Sequence, residues 1–237
     1  MKELRKVSQK ELRGILELHK LWLESEEGKG TQADLSYCDL RYAKLKDADL
    51  RYADLTHADL TNADLRNADL RNCDLRYTDL THANLRDVKL TRADLRDADL
   101  SYCDLRNANL FYADLSYADL TNADLGNANL TSADLFYAEL RYADLTNTNL
   151  SNTKLINTKL FYAKVDNMVG LVNIGTENRT VYYFYKEDRV ICGCFDNTLE
   201  EFNKAVTEKY GSDYGSYAIA NEVFEKMNKL QKLAIKY

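Results

Sequence analysis

The sequence predicts a mainly β protein: a long repetitive β-coil fills the middle of the chain, a helical segment precedes it and a small α+β module follows. Three observations carry that expectation. Leucine recurs at every fifth position from Leu35 to Leu160, and Val165 closes the series. Two places before each of these centres the residue is small, alanine in 19 of the 27 repeats. The chain has 237 residues but no proline and only nine glycines. It must therefore turn by a device other than the usual punctuating residues, and the repeat is the available device.

Residues 1–30 are expected to form an N-terminal helical cap and a loop. Ser8 and Glu11 have capping-box spacing. Leu12, Ile15, Leu16, His19 and Leu23 follow at helical intervals, with Trp22 beside them. An open end of a coil exposes backbone edges and core leucines, so a cap is physically required. His19 is expected at the margin of that cap.

Residues 31–167 are the repeat. Its unit is Ala-Asp-Leu-x-x, with Cys38, Cys73, Thr78, Val88, Cys103, Thr148, Thr153 and Thr158 at the alanine position. A helix would advance the leucines by roughly 140° per repeat and spray them around its axis. A continuous strand would place successive leucines on opposite faces, because five is odd. A chain that bends once per repeat points all of them inward. Leu35, Leu55, Leu75, Leu95, Leu115, Leu135 and Leu155 are thus expected in the core, each contributing about 1.5–3 kcal/mol of gross burial against conformational entropy.

This segment resembles the pentapeptide-repeat family. The resemblance implies a right-handed quadrilateral β-helix with four repeats per coil, hence about seven coils and about 32 Å of stack at ~4.8 Å per coil. The sequence supports a period of twenty. Stepping by twenty from Asp47 meets Asn67, Asp87, Asn107, Asn127, Asn147 and Asn167, as if one corner required an amide or carboxylate beside the backbone.

Residues 168–237 have a different composition and are expected to form a small ββαα module. Gly170 to Gly175 is expected to be a turn-rich link. Strands are predicted over 180–186 and 189–195, joined at Glu187 and Asp188. A helix should open at Thr198, with Glu201 at capping-box spacing, and run to about Tyr210. A second is predicted over 217–234. The module is a candidate cap, dimer contact or docking element. The segments HKLWL, CGCF and TLEEF are similar to those of pentapeptide proteins of bacteriophages and Gram-positive prophages, a likeness that implies an antagonist of a host protein.

Residues twenty apart share a face. Carboxylates and tyrosines gather on two adjacent faces, and residues 107–150 carry six acids against one base, Arg141. Lys154, Lys159 and Lys164 follow as a basic collar. Asp114, Asp119, Asp134, Glu139, Tyr117, Tyr137 and Tyr142 form the candidate partner-binding surface. The resemblance implies one specific use of such a surface, mimicry of DNA phosphates toward a type II topoisomerase such as DNA gyrase or topoisomerase IV. The competing reading is that aspartate before leucine serves the repeat alone and that stacked tyrosines stiffen it. The register here lacks the projecting loops of the quinolone-resistance type.

The remaining expectations are exclusions. A net charge of -6 argues against direct nucleic-acid binding through phosphates. No apolar run reaches the roughly 18 residues of a membrane span, and the charged N-terminus lacks a signal peptide's apolar stretch, so a cytoplasmic protein is expected. Five cysteines, an odd number, point to reduced thiols. Cys192 and Cys194 form a C-x-C without further zinc ligands nearby. No nucleotide-binding, metalloprotease or serine-hydrolase motif occurs. The expected protein is therefore a non-catalytic binding or scaffold protein with no cofactor and no metal. A minor enzymatic role for residues 168–237 and a homodimer through Phe111, Phe136, Ile156 or Phe161 are the alternatives.

Overall fold

The computed structural model describes residues 3–25, 29–166, 168–174, 179–184, 189–192 and 195–210. The chain divides into two units, 1–154 with 158–165, and 155–157 with 166–237.

In the first unit the repeat closes on itself every twenty residues. Parallel one-residue bridges join Asp34 to Asp54, Asp39 to Asp59, Lys44 to Asp64 and Asp49 to Asp69, and the series continues to Asp144 and Lys164. Each coil thus has four sides, one per repeat. The leucine N–H donates to the next coil (Leu35 N to the Asp54 carbonyl, 2.8 Å), and the next coil returns a bond (Asp54 N to the Ala33 carbonyl, 3.0 Å). All seven leucines expected in the core are at most 1% exposed.

The corners explain how a chain without proline turns so often. The residue after each x-x pair donates its N–H to the leucine carbonyl three back, as Ala43 does to Leu40 at 3.0 Å. The second x residue has positive φ at every corner from Tyr37 to Tyr162. A hydrogen-bonded turn with positive φ only at its third residue is a type II turn, which normally favours glycine or asparagine. Here tyrosine, histidine, arginine, serine, aspartate and asparagine all occupy it. The left-handed cost at these residues is offset because the same residue's N–H bonds the next coil, as Tyr52 does to Arg71 at 3.0 Å. The file running from Asp47 is consequently not a special backbone corner. Its side chains instead bond along the stack, Asn67 Nδ2 to Asp47 Oδ1 at 2.9 Å and Asn107 Nδ2 to Asp87 Oδ1 at 3.0 Å. Asn167 lies outside the described residues.

The first coil is covered by two elements. Strand β1 (Arg5–Lys6) pairs in parallel with β2 (Cys38–Asp39), occupying an edge that the stack leaves open; the sequence offered no sign of it. Helix α1 (Gln9–Glu24) starts at Ser8, whose Oγ accepts the Glu11 N–H at 3.2 Å. His19 is not at the margin. It is fully buried, and its Nδ1 accepts the Ala33 N–H at 3.0 Å, so the imidazole itself closes the open edge of the first repeat. Its ring stacks on Trp22 at 5.6 Å, and Trp22 meets Tyr52 edge-on.

The second unit holds an antiparallel meander of β3 (Met168–Ile174), β4 (Arg179–Phe184), β5 (Arg189–Cys192) and β6 (Phe195–Asn197), followed by α2 (Leu199–Tyr210). Four strands precede the helix, where two were expected. The supposed link from Gly170 is β3: its glycine and asparagine hid an apolar run that pairs Met168 with Phe184 and Leu171 with Val181. α2 begins as expected, with the Glu201 N–H on Thr198 Oγ1 at 3.2 Å. Tyr183, Val190, Leu199, Phe202 and Val206 are buried. The second helix, the turn at Glu187 and Asp188, and Cys194 lie outside the described residues. Among the described residues no helix is long and apolar enough to cross a membrane.

Candidate partner-binding surface

The aspartate of each repeat has a local task before it has any outward one. Its Oδ1 accepts the N–H two residues on, as Asp34 does from Ser36 at 3.0 Å and Asp119 from Thr121 at 2.8 Å. This closes an Asx turn that sets the corner. Where the residue two on is arginine, the guanidinium folds back onto the same carboxylate in a two-pronged bond. Arg71 holds Asp69 at 2.7 and 2.6 Å, and Arg41, Arg51, Arg66, Arg76, Arg96 and Arg106 do the same. These bonds hold the Asp39, Asp49, Asp64, Asp74 and Asp104 carboxyls below their usual pKa. Some arginines reach a second acid on the next coil, Arg41 to Asp59 at 3.6 Å and Arg106 to Asp124 at 3.4 Å.

Three positions therefore decide whether a repeat carboxylate is paired: an arginine two ahead, an arginine eighteen behind, or a lysine twenty ahead. The lysine rule operates at the distal end. Lys154 bonds Asp134 at 2.7 Å, Lys164 bonds Asp144 at 3.0 Å, and Lys159 bonds Glu139. The last three of the six acids are thus paired one to one with the basic collar. Within the candidate surface, Asp134 and Glu139 are so engaged, Arg141 adds a contact to Glu139 at 3.1 Å, and Asp114 lies 3.7 Å from Arg96. Asp119 has no ion pair among the described residues.

Asp79 and Asp99, which the sequence reading did not single out, share that condition. They stand on the same side as Asp119 on successive coils and, among the described residues, accept only the Thr81 and Ser101 N–H, at 2.9 Å each. All three pairing positions around them are threonine, serine or acid. Asp54 and Asp97 on the neighbouring side and corner are likewise without an ion pair among the described residues.

Tyrosines frame this carboxylate file. Tyr77, Tyr102 and Tyr117 are about half exposed, at 53%, 53% and 54%. Tyr117 stacks on Tyr137 at 5.4 Å, with Phe136 edge-on to both, and Tyr142 stacks on Tyr162 at 5.1 Å. The tyrosines named from sequence thus form two ring ladders at adjacent corners.

Among the described residues no three metal-ligating side chains converge. Cys73 and Cys103 are buried, bond the Leu50 and Leu80 carbonyls, and burial pushes their thiols well above the ordinary pKa. A groove of about 300 Å3 lies along Lys46, Arg66, Arg86 and Arg106, but Arg66 and Arg106 are committed to Asp64 and Asp104.

The family model described as Pentapeptide repeats matches residues 31–67, 53–92, 89–127, 113–152 and 128–161. Among solved structures, the chain is similar to HetL, a pentapeptide repeat protein involved in heterocyst differentiation regulation from the cyanobacterium Nostoc sp. strain PCC 7120. Identity is 34%, over 56% of this chain and 84% of that one, with a TM-score of 0.26. It is also similar to a trypsin-treated form of QnrB1, a plasmid-mediated fluoroquinolone resistance protein, at 23% identity over 61% and 71% of the two chains, with a TM-score of 0.37. No curated protein matches the sequence.

Proposed function

The chain belongs to the pentapeptide-repeat family, and on that footing we propose that it is a non-catalytic protein-binding protein whose coil stack is a rigid display surface. The observation that carries the reading is the file of Asp79, Asp99 and Asp119. On three successive coils the carboxylate has no ion pair among the described residues, while many others are clamped by arginine or lysine. Unpaired like charges at strand spacing repel one another, a cost that a cationic partner would remove.

The stack favours binding without reorganisation. Its backbone is bonded coil to coil, so docking orders little that was mobile and more of the contact energy appears as affinity. Half-exposed tyrosines supply flat apolar area with a polar edge, a composition enriched at protein interfaces. In the setting that the phage-type resemblance implies, the partner is a host protein with a basic face.

The test is capture with the full chain as bait, beside an Asp79→Asn, Asp99→Asn, Asp119→Asn variant. The expected result is a discrete protein retained by the native chain, eluted by moderate salt and lost with the triple variant. Retention of the same protein by both baits refutes the assignment of this file.

A second reading, mimicry of DNA toward a type II topoisomerase, is favoured by the regular interval of the carboxylates. They recur once per ~4.8 Å, against one charge per ~3.4 Å in each DNA strand. Inhibition of gyrase supercoiling that fades with salt and with the triple variant is its expected signature. Uninhibited supercoiling at large molar excess removes gyrase as the partner.

A further inference from the structure

The ring ladder at the corner before the carboxylate file is broken once, and the break has the shape and charge of a binding slot. Tyr37 stacks on His57 at 4.6 Å, and His57 on Tyr77 at 4.8 Å, within 16° of parallel. Tyr117 stacks on Tyr137 at 5.4 Å and 6°. Between Tyr77 and Tyr117 the corner residue is Asp97, which ends well short of a phenol ring. The corners that carry Tyr77 and Tyr117 are therefore two coil rises apart, about 9.6 Å at ~4.8 Å per coil. One planar group between them needs two stacking distances, about 7–8 Å, and two groups would need about 10.5–12 Å. The gap takes one layer.

The floor of the gap is an exposed carboxylate with no ion pair among the described residues, and the adjoining side presents Asp79, Asp99 and Asp119. Arg96, which precedes Asp97 in the chain, is held by Asp94 at 2.8 and 2.5 Å and so does not fill it. The same spacing recurs at the next corner between Tyr102 and Tyr142, where the intervening residue is Asn122. Charge distinguishes the first gap from the second.

We propose that Tyr77, Asp97 and Tyr117 form a slot for one planar cation, the guanidinium of an arginine side chain on a partner protein. This rests on the reading of the carboxylate file as the partner-facing surface and specifies the residue that the surface selects. Guanidinium is planar, stacks on aromatic faces and pairs with a carboxylate through parallel N–H bonds. A lysine ammonium meets the charge but not the two flat walls.

The probe is an acetylated, amidated peptide of alternating glycine and arginine, compared with its lysine counterpart, each titrated into the full chain at low salt. Asp97→Tyr closes the slot with the residue that the same corner already carries at positions 37, 77, 117 and 137, so its melting should be at or above that of the native chain. The expected result is at least fivefold tighter binding of the arginine peptide. That preference should vanish in Asp97→Tyr and weaken in Asp97→Asn. Equal affinity for the two peptides, or an arginine preference that survives Asp97→Tyr, overturns the slot. If both peptides bind equally and both are lost in the Asp79, Asp99, Asp119 variant, the slot fails while the carboxylate surface stands. No binding of the arginine peptide at millimolar concentration also overturns the slot.

Discussion

The alanine position shows how narrowly a single residue is specified in this fold. Ala118 is fully buried, and its neighbours along the stack are alanine or a residue little larger. Where threonine or cysteine replaces alanine beyond the first coil, the extra atom is a donor that finds the leucine carbonyl one coil away, Thr78 to Leu55 and Thr153 to Leu130 at 2.8 Å each. Val88 fills the same position without a donor, so the site accepts one short branched residue; leucine is longer by a methylene. Ala118→Leu should cost about 1–3 kcal/mol by overpacking and lower the melting temperature; unchanged melting contradicts the inward placement. At His19 the prediction concerns protons. Burial lowers the imidazole pKa, against the opposing influence of the Arg51 backbone and of Asp49, while the Arg51 charge adds to the lowering. Nδ1 accepts the Ala33 N–H, so the neutral ring carries its proton on Nε2, which makes no geometrically sound hydrogen bond among the described residues. A base with a depressed folded pKa binds more protons when unfolded. Stability should therefore fall as pH drops below about 6.5 toward the folded value. His19→Gln should flatten the melting difference between pH 7.5 and 5.0, and an unchanged difference would remove His19 as its source.

At the scale of elements, legibility depended on whether a signal was periodic. The twenty-residue coil and the inward leucines follow from a register that never breaks between Leu35 and Leu160, because only one bending scheme buries them together. Both helix starts were readable from their capping residues, Ser8 and Thr198. β1 was not readable, since two residues of strand, Arg5 and Lys6, carry no period and exist only because the first coil offers an edge. β3 is not legible because Gly170 reads as a turn. The unpaired carboxylates were legible in principle, from threonine or serine two ahead and no cation at the two cross-coil positions. That rule needs the coil geometry before it can be written. The cap gives the element-scale prediction. Gly30 has φ +82°, and a Cβ there would lie 2.2 Å from the Leu18 carbonyl oxygen and 2.6 Å from the Trp22 nitrogen, both backbone atoms of α1. Gly30→Ala should displace the helix and raise hydrogen exchange of α1 amides while amides of the middle coils stay protected. Unchanged exchange in α1 contradicts the close approach.

For the whole molecule, a net charge of -6 says less than where the charge is left unpaired. Arginine clamps neutralise much of the first coils, the three lysines neutralise the last acids, and an open file remains on one side between them. This side, and not the opposite one, should meet a partner. The most direct measurement replaces single tyrosines by a photoreactive phenylalanine at Tyr102 and Tyr117, which flank the file, and at Tyr112, which is equally exposed at another corner. The variants are then irradiated in extract of the protein's cells of origin. A discrete adduct from positions 102 and 117, suppressed by salt and absent from position 112, is the predicted result. Equal adducts from all three positions, or an adduct from position 112 alone, would contradict it.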